Sequence, residues 1–296
     1  MKKGWFSVND RERGKRVGVS SISYTSEQAK TVIHFYVEEG RGKNFCAKKA
    51  GCTVRAVSKI LEDNNIKIRD RKEANALSGD RIVTLNKGYF SVQSHNMAWM
   101  LGFLAADGTI RKGENEIKIG LSIKDKEILE KIKNEIGTDR KVKDYTTSNG
   151  FDCCQLTWTC QQHKKDLAKY NIVPAKTFIL TPPYKLEEKY YLDYIRGYFD
   201  GDGSVSQIGK DKRYYCWRLC SATKKILEFT IDVFEKYGIP PVKIHSSSNG
   251  KNILYEIEYA TASSKKIYNL LYQNPNTLFL ARKKNRFEEL IKQANE

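Results

Sequence analysis

Two acidic residues stand in matching contexts far apart in the chain. Asp107 comes near the end of the run Met100 to Gly108, and Asp202 near the end of the run Ile195 to Gly203. Both runs have mainly apolar residues, small residues four apart, an acid and a glycine. Carboxylates suit divalent cations such as Mg²⁺. If the two acids meet, their repulsion favours a shared cation, and a cation beside a phosphate oxygen supports phosphodiester hydrolysis.

The residues ahead of these acids predict two helices that pack closely together. Gly102 and Ala106 are four apart, as are Gly197 and Gly201, so each helix carries small residues on one face. Two such faces let two backbones approach each other closely. The packed pair would bring both acids side by side, each before a glycine suited to ending a helix.

The doubled run resembles the motif of the LAGLIDADG homing endonucleases, in their single-chain, two-motif form. The resemblance implies an enzyme that cuts both strands of DNA across the minor groove and leaves cohesive 3′ ends. It also implies that Asp107 and Asp202, with Gly108 and Gly203 beside them, hold two or three Mg²⁺ ions. Intron homing is the activity that the resemblance implies, and whether an intron carries the gene stays open. Because both halves belong to one chain, we expect a monomer that recognises a long, non-palindromic target.

The resemblance further implies one basic catalytic residue in each half, near the scissile phosphate. The matching positions are Lys176 and Lys283, with Lys284 as an adjacent rival. The sequence departs from the family pattern at Ala105, where the family has an acid, and at Arg196, where it has alanine. Neither position is the final acid of its motif, so we expect activity to persist.

The overall composition indicates a polyanionic partner. Among 296 residues, 52 are Lys or Arg and 35 are Asp or Glu, giving a net charge of +17. Duplex DNA is the partner we expect. No apolar run has the length of a membrane span, and the N-terminus lacks a secretion signal, so we expect an intracellular protein. We expect the cytoplasm, either at the nucleoid or in a phage-infected cell. Location in an organelle is the alternative that stays open.

Landmarks of the second motif region follow those of the first at a nearly constant offset. The offsets are 95 for Asp107 and Asp202, 101 for Gly137 and Gly238, and 100 for Asn149 and Asn249. Such self-similarity predicts an α+β fold with two pseudo-symmetric halves, residues 90–184 and 185–296. Each half reads as helix, two strands, helix, two strands, helix.

Each predicted sheet has one apolar face and one polar face. The apolar face requires a covering of helices. In the family, the polar faces form a saddle over the DNA major groove. Six polar residues are therefore predicted to contact DNA: Lys118, Lys141, Lys143, Gln155, Arg218 and Lys243.

The N-terminal part predicts a separate DNA-binding region. Residues 1–22 are basic and poor in apolar side chains, which predicts a flexible arm. Residues 23–77 predict a small all-α domain with the spacing of a helix-turn-helix. On that interpretation Ser26 caps the first helix, and three residues of the third helix face DNA: Arg55, Ser58 and Lys59. A generic three-helix bundle would use the same turn.

Three other functions fit the same residues, one of them that of a metal-dependent nuclease with little site preference. Bacterial regulators exist that join a degenerate LAGLIDADG region to a helix-turn-helix and do not cut DNA. RNA maturases keep the fold, sometimes with its acids, and assist intron splicing. Seven cysteines and four scattered histidines argue against a disulfide framework and a zinc site.

Overall fold

The computed structural model describes residues 22–70, 73, 84–210, 213–248, 250 and 252–295. The chain divides into two compact units, residues 1–82 and 83–296. The predicted basic arm lies outside the described residues, except for Ile22, and so does Asn249.

Within residues 22–70, unit 1 contains three short α-helices around a small apolar core. They are α1 (Ser26–Ile33), α2 (Lys43–Ala50) and α3 (Val54–Asp63). Thr25 caps α1 rather than the predicted Ser26, because its side chain accepts a hydrogen bond from the Gln28 amide in a complete capping box. α1 continues into a π-helical turn, His34–Glu38.

A tight turn joins α2 to α3 at the place where a helix-turn-helix requires it. Gly51 ends α2 with a φ of 62°, a left-handed conformation that glycine adopts at no steric cost. Thr53 then caps α3 by accepting a hydrogen bond from the Ala56 amide. α3 buries Val57 and Ile60 against the other helices. This arrangement fits a helix-turn-helix and equally a generic three-helix bundle, so DNA binding by unit 1 stays a prediction.

Unit 2 consists of two halves with the same order of elements. The first half contains α4 (His95–Asp107), β1 (Gly108–Ile110), β2 (Glu116–Ser122), α5 (Lys126–Glu135), β3 (Lys143–Thr146), β4 (Asp152–Thr159) and α6 (Gln161–Lys169). The second half contains α7 (Tyr191–Asp202), β5 (Gly203–Gln207), β6 (Tyr215–Ser221), α8 (Lys224–Lys236), β7 (His245–Ser248), β8 (Ile253–Ala260) and α9 (Thr261–Leu271). The predicted α+β fold of two αββαββα halves is confirmed.

Two features at the C-terminal end differ from the sequence prediction. α9 begins at Thr261, four residues before the predicted start at Lys265. A further helix, α10 (Ala281–Asn295), was not predicted at all. It brings Lys283 into the buried part of unit 2.

The two sheets are antiparallel and share one register. Their strand orders are β1-β2-β4-β3 and β5-β6-β8-β7. Gly108 pairs with Ile119 in the first sheet, and Gly203 pairs with Leu219 in the second. Ile119 and Leu219 are fully buried, and they belong to the face of each sheet that helices cover.

The two motif helices, α4 and α7, occupy the centre of unit 2. Every residue of Met97–Ala105 and of Leu192–Asp200 is buried. A helix that is apolar or buried on all sides belongs in the interior of a domain. Side chains of both halves join one continuous core around this pair.

None of the helices in the described part of the chain combines the length and the apolarity needed to cross a membrane.

Candidate functional site

The two motif acids lie at the ends of the crossing helices. Asp107 is the last residue of α4 and Asp202 the last residue of α7, and each is followed directly by the first strand of its sheet. The helices approach closely here: a Cβ built on Gly201 would lie 3.2 Å from the Asp107 Oδ2 atom. The sequence prediction that the crossing brings the acids together agrees with this geometry.

Both acids are only partly exposed, and this environment changes their acidity. Burial, together with the nearby charge of Asp202, raises the pKa of Asp107 to about 6. Burial also raises the pKa of Asp202, although a hydrogen bond from the Tyr198 hydroxyl acts to lower that pKa. Two carboxylates in this condition gain stability from any positive charge placed beside them.

Two buried lysines supply positive charge within the protein. Lys283 and Lys176 each lower the pKa of both acids. Burial in turn lowers the pKa of Lys283 to about 8, with Asp200 and the two motif acids opposing that shift. The two buried lysines and the two partly exposed acids thus form a mixed set of charges that stabilise one another.

The hydrogen bonds of Lys283 show what else that side chain does. Its ammonium group donates to three carbonyl oxygens at the end of α7, those of Phe199 at 2.8 Å, Gly201 at 2.8 Å and Gly203 at 2.6 Å. The last carbonyls of a helix have no partner within the helix, and a cation there also meets the negative end of the helix dipole. Lys283 therefore anchors the helix end that carries Asp202.

Lys176 has the equivalent position in the first half. Its ammonium group donates to the carbonyl oxygen of Gly108, just after Asp107. It follows Ala175, which has a left-handed φ of 56°. Lys284, the predicted rival of Lys283, instead forms an ion pair with Glu288 at 3.1 Å. The structure thus brings Lys176 and Lys283 to the acids, but not Lys284.

The glycines predicted as metal ligands have carbonyl groups that are already engaged. The Gly108 oxygen accepts from Lys176 and the Gly203 oxygen accepts from Lys283. Among the described residues, no group of three or more His, Cys, Asp and Glu side chains is arranged to hold a metal ion. The protein ligands that this geometry offers a cation most directly are the two carboxylates.

Asp200 is a buried acid whose contacts the sequence did not reveal. Its Oδ2 accepts hydrogen bonds from the Trp99 indole at 2.8 Å and from the Leu280 amide at 2.9 Å. Asp200 therefore ties α7 both to α4 and to the segment before α10. Its counterpart in the first motif is Ala105, so this link exists on one side of the pair only.

Arg196, the other departure from the family pattern, has a structural role. Its guanidinium is buried and donates to Asp193 at 2.9 Å and to the carbonyls of Leu271 at 2.6 Å and Leu278 at 3.1 Å. These contacts join α7 to the end of α9 and the segment that follows it. Arg196 does not reach the motif acids through any of these contacts.

An ion pair between the halves lies close to the first acid. Arg282 donates to both carboxylate oxygens of Asp125, with Nε at 3.0 Å from Oδ1 and Nη2 at 2.9 Å from Oδ2. The charge of Asp125 also raises the pKa of Asp107. No local sequence pattern indicates this pair, because 157 positions separate its members.

The outer sheet faces contain four of the six predicted DNA contacts. Lys118, Lys143 and Gln155 lie on strands of the first sheet, and Arg218 lies on β6 of the second. Lys141 and Lys243 are exposed, but they precede β3 and β7 instead of lying on a strand. Placing those two lysines on the sheet faces was wrong.

The predicted contacts of unit 1 fall into two groups. Arg55 is exposed near the start of α3. Lys59 forms an ion pair with Asp63 at 2.7 Å, and Ser58 accepts a hydrogen bond from Lys43 at 3.3 Å. The Asp63 carboxylate therefore competes with DNA for Lys59, whereas the Ser58 hydroxyl can still donate a hydrogen bond. Arg55 is exposed without such a pairing in the described residues.

The family of unit 2 follows from the match of its sequence to a known domain. Residues 94–150 and 189–273 match the family model of the LAGLIDADG-like domain. The two segments contain both motif helices, both acids and most strands of both sheets. Unit 2 is a LAGLIDADG-like domain, and the resemblance that the doubled motif predicted is confirmed.

Individual relatives of the chain are more distant. It is 25% identical over 195 residues to the uncharacterized protein MJ0314 of Methanocaldococcus jannaschii, which covers 62% of this chain and 67% of that protein. Three solved structures resemble it at low identity. I-DmoI in complex with DNA and Ca is 13% identical, with 69% of this chain and 99% of that chain covered and a TM-score of 0.45. The homing endonuclease I-WcaI bound to its DNA recognition sequence is 14% identical, with 75% of this chain and 96% of that chain covered and a TM-score of 0.44. Full-length DUF199/WhiA from Thermatoga maritima is 12% identical, with 70% of this chain and 64% of that chain covered and a TM-score of 0.42.

Proposed function

We propose that this protein is a site-specific homing endonuclease that hydrolyses both strands of duplex DNA with the help of divalent metal ions. The observation that carries the proposal is the meeting of Asp107 and Asp202 at the ends of two crossing helices. Each acid directly precedes the first strand of a sheet whose outer face is polar, so the same helix pair positions the chemistry and the DNA-binding surface.

The donor set fits Mg²⁺. Two partly buried carboxylates with raised pKa values gain from a divalent cation, which offsets both their burial and their repulsion. Mg²⁺ commonly binds through one or two carboxylates and completes its shell with water and phosphate oxygens. Gly108 and Gly203 could contribute only through the second lone pair of carbonyls that already accept from lysine. We propose two or three ions at the acid pair.

Bound divalent cations would supply activation of the attacking water and stabilisation of the leaving 3′ oxygen. Residues of the chain itself favour metal binding at the acids and hold the acids in position. Lys176 and Lys283 lower the pKa values of both acids and so favour the ionised carboxylates that bind metal. The lysine contacts also fix the ends of α4 and α7, which holds the separation of the acids constant.

The positions of the two halves suggest the kind of target and product. One chain supplies both acids and two sheets of different sequence, which suits a monomer and a long, non-palindromic site. By its family resemblance, cleavage across the minor groove would leave cohesive 3′ ends. An intracellular setting follows from this proposal, because that is where duplex DNA is found.

Cleavage of a randomised plasmid library with Mg²⁺ tests the proposal. We expect discrete cuts with cohesive 3′ ends from the wild type, reduced about a hundredfold or more in Asp107→Asn and in Asp202→Asn. Asp139→Asn changes an exposed acid of the same unit and is the matched control. It should cut like the wild type.

A second candidate function is DNA or RNA binding without cleavage. The observation that favours it is that Lys176 and Lys283 use their ammonium groups on helix carbonyls and not on an open surface. Tight DNA binding with no cutting under any divalent metal would overturn the nuclease proposal and indicate a regulator. Preferential binding of structured RNA over duplex DNA would indicate a maturase.

A further inference from the structure

The outer faces of the two sheets can be compared position by position, because their registers match. In the first sheet one row of the outer face is Thr109, Lys118 and Thr157, and the next row is Gly120, Gln155 and Lys143. In the second sheet the equivalent rows are Ser204, Arg218 and Glu258, and then Cys220, Glu256 and His245. The same two rows therefore carry different chemistry in the two halves.

The difference is one of charge. In these rows the first sheet has two lysines and no acid, whereas the second has one arginine and two glutamates. Lysines attract DNA phosphates and so raise the affinity of the protein for DNA of any sequence. Glutamates repel phosphates, so a pair of them on a DNA-facing sheet reduces non-specific affinity. Their presence requires another explanation.

The contacts within the second sheet organise these charges. The Arg218 Nε donates to the Glu258 Oε2 at 2.6 Å, and the Glu256 Oε1 lies 3.7 Å from the same nitrogen. Cys220 donates its thiol hydrogen to the other Glu256 oxygen at 3.2 Å. Each charged side chain is about one-third exposed, so the cluster is held in place but accessible.

The way in which Arg218 is held leaves its terminal nitrogens available. Both ion-pair contacts use Nε, and within the described residues Nη1 and Nη2 have no hydrogen-bond partner. A guanidinium can donate two hydrogen bonds to the O6 and N7 atoms of guanine. A carboxylate can accept from the N4 amino group of cytosine.

We infer that Arg218, Glu258 and Glu256 form a cluster that selects a G·C base pair in the part of the DNA site bound by the second half, an inference that rests on the proposed DNA-binding function. Arg218 contacts the guanine, and a neighbouring glutamate accepts from a cytosine amino group. The equivalent rows of the first sheet, through Lys118 and Lys143, contribute phosphate affinity instead. The two halves thus divide the tasks of sequence selection and of salt-dependent affinity.

Selection of bound duplexes from a randomised DNA library, by the full chain and without Mg²⁺, tests the inference. The wild type should show at least one position with a strong G·C preference. Arg218→Met and Glu258→Gln should each reduce that preference by about ten- to a hundredfold, while preferences elsewhere persist. Lys118→Met, at the equivalent position of the first sheet, is the matched control. It should weaken binding to all sequences equally and reduce the slope of log affinity against log salt concentration by about one, the effect of one lost phosphate contact.

The inference is overturned if both second-sheet variants keep every wild-type base preference, or if Lys118→Met changes a preference. Should Arg218→Met fail to fold, Glu258→Gln and Glu256→Gln decide the question, because they preserve side-chain shape. A G·C preference that depends on these residues, found in a protein that never cuts DNA, supports the inference while overturning the nuclease proposal. Absence of any sequence-selected binding by the wild type overturns both.

Discussion

Gly102 and Gly197 lie at the crossing of α4 and α7, each directly against the backbone of the other helix. A Cβ on Gly102 would lie 2.0 Å from the Tyr194 carbonyl oxygen, and a Cβ on Gly197 would lie 2.0 Å from the Trp99 carbonyl oxygen. No side chain fits at such separations, so both positions require glycine. This contact also sets how closely the acids at the helix ends approach each other.

Substitution of Gly197 by alanine should therefore destabilise unit 2 severely. We expect a loss of about 3 kcal/mol or more in the free energy of unfolding, because the added methyl group meets backbone and the helices must separate. Urea unfolding followed by tryptophan fluorescence measures the loss. Gly120→Ala is the control, since its Cβ would lie 3.6 Å from the nearest heavy atom, in ordinary contact. Equal stabilities of the two variants would show that the helices do not cross as described.

Lys283→Met should also destabilise the protein, although methionine fits a buried position. The change removes the ammonium group that donates to the carbonyls of Phe199, Gly201 and Gly203, although Phe199 keeps the Gly203 amide as a donor. It also removes a cation beside the two motif acids. We expect a loss of about 2 to 4 kcal/mol in metal-free protein, offset in part because no ammonium group has to be buried.

The adjacent lysine provides the control for that measurement. Lys284 forms a partly exposed ion pair with Glu288 on the same helix, and such pairs contribute about 0.5 kcal/mol or less. Lys284→Met should thus remain within about 0.5 kcal/mol of the wild type. If both variants lost equal stability, the anchoring role assigned to Lys283 would be wrong.

The parts of the fold that the sequence predicts depend on neighbouring residues. The offset of 101 between Gly137 and Gly238 identified equivalent helix ends, and both glycines adopt the left-handed φ that ends a helix there. The motif acids were found in the same way, from small residues four apart within a single helix. Periodicity and capping act over a few residues, which is why a single sequence reveals them.

The contacts that complete the site join residues far apart in sequence, and no local pattern indicates them. Lys283 reaches a carbonyl 80 positions away, and Asp200 reaches an indole 101 positions away. Lys141 was placed on a strand because it lies near one, but the strand begins two residues later, at Lys143. Which donor meets which acceptor is decided by packing of the whole unit, and α10, whose first turn carries Lys283, was not predicted.

The ion pair between Asp125 and Arg282 offers a test of how the halves are held together. The Asp125 side chain is only 5% exposed, whereas that of Arg282 is 55% exposed. Arg282→Met leaves a buried carboxylate without its partner, so we expect a loss of about 1 to 3 kcal/mol. A double-mutant cycle with Asp125→Asn should give a coupling energy of about 1 kcal/mol or more.

A neighbouring arginine supplies the comparison for this pair. Arg286 contacts Glu289 on the same helix, and both side chains are about half exposed. Arg286→Met should cost no more than about 0.5 kcal/mol. Similar losses for Arg282→Met and Arg286→Met, together with zero coupling in the cycle, would mean that the pair does not stabilise the contact between the halves.

His163 should make the stability of unit 2 sensitive to mild acid. It is fully buried, its Nδ1 accepts a hydrogen bond from the Trp158 indole at 3.0 Å, and its Nε2 donates to the Asn86 carbonyl at 2.8 Å. Protonation of Nδ1 would break the first bond and bury a charge. Burial accordingly lowers the pKa of His163 below its ordinary 6.5.

The direction of the effect follows from proton linkage. Below pH 6.5 the unfolded chain binds a proton at this histidine that the folded chain does not, so the contribution of His163 to the free energy of unfolding falls as the pH falls. Asp107 and Asp200, whose pKa values are raised to about 6, act in the opposite direction over the same range, so the test is a difference between two proteins. Urea unfolding at several pH values between about 7.5 and 5 should show that the wild type loses its advantage in stability over His163→Gln, which cannot titrate there, as the pH falls. If the free energies of unfolding of the variant and the wild type changed in parallel over this range, His163 with its two hydrogen bonds would not contribute to the pH dependence.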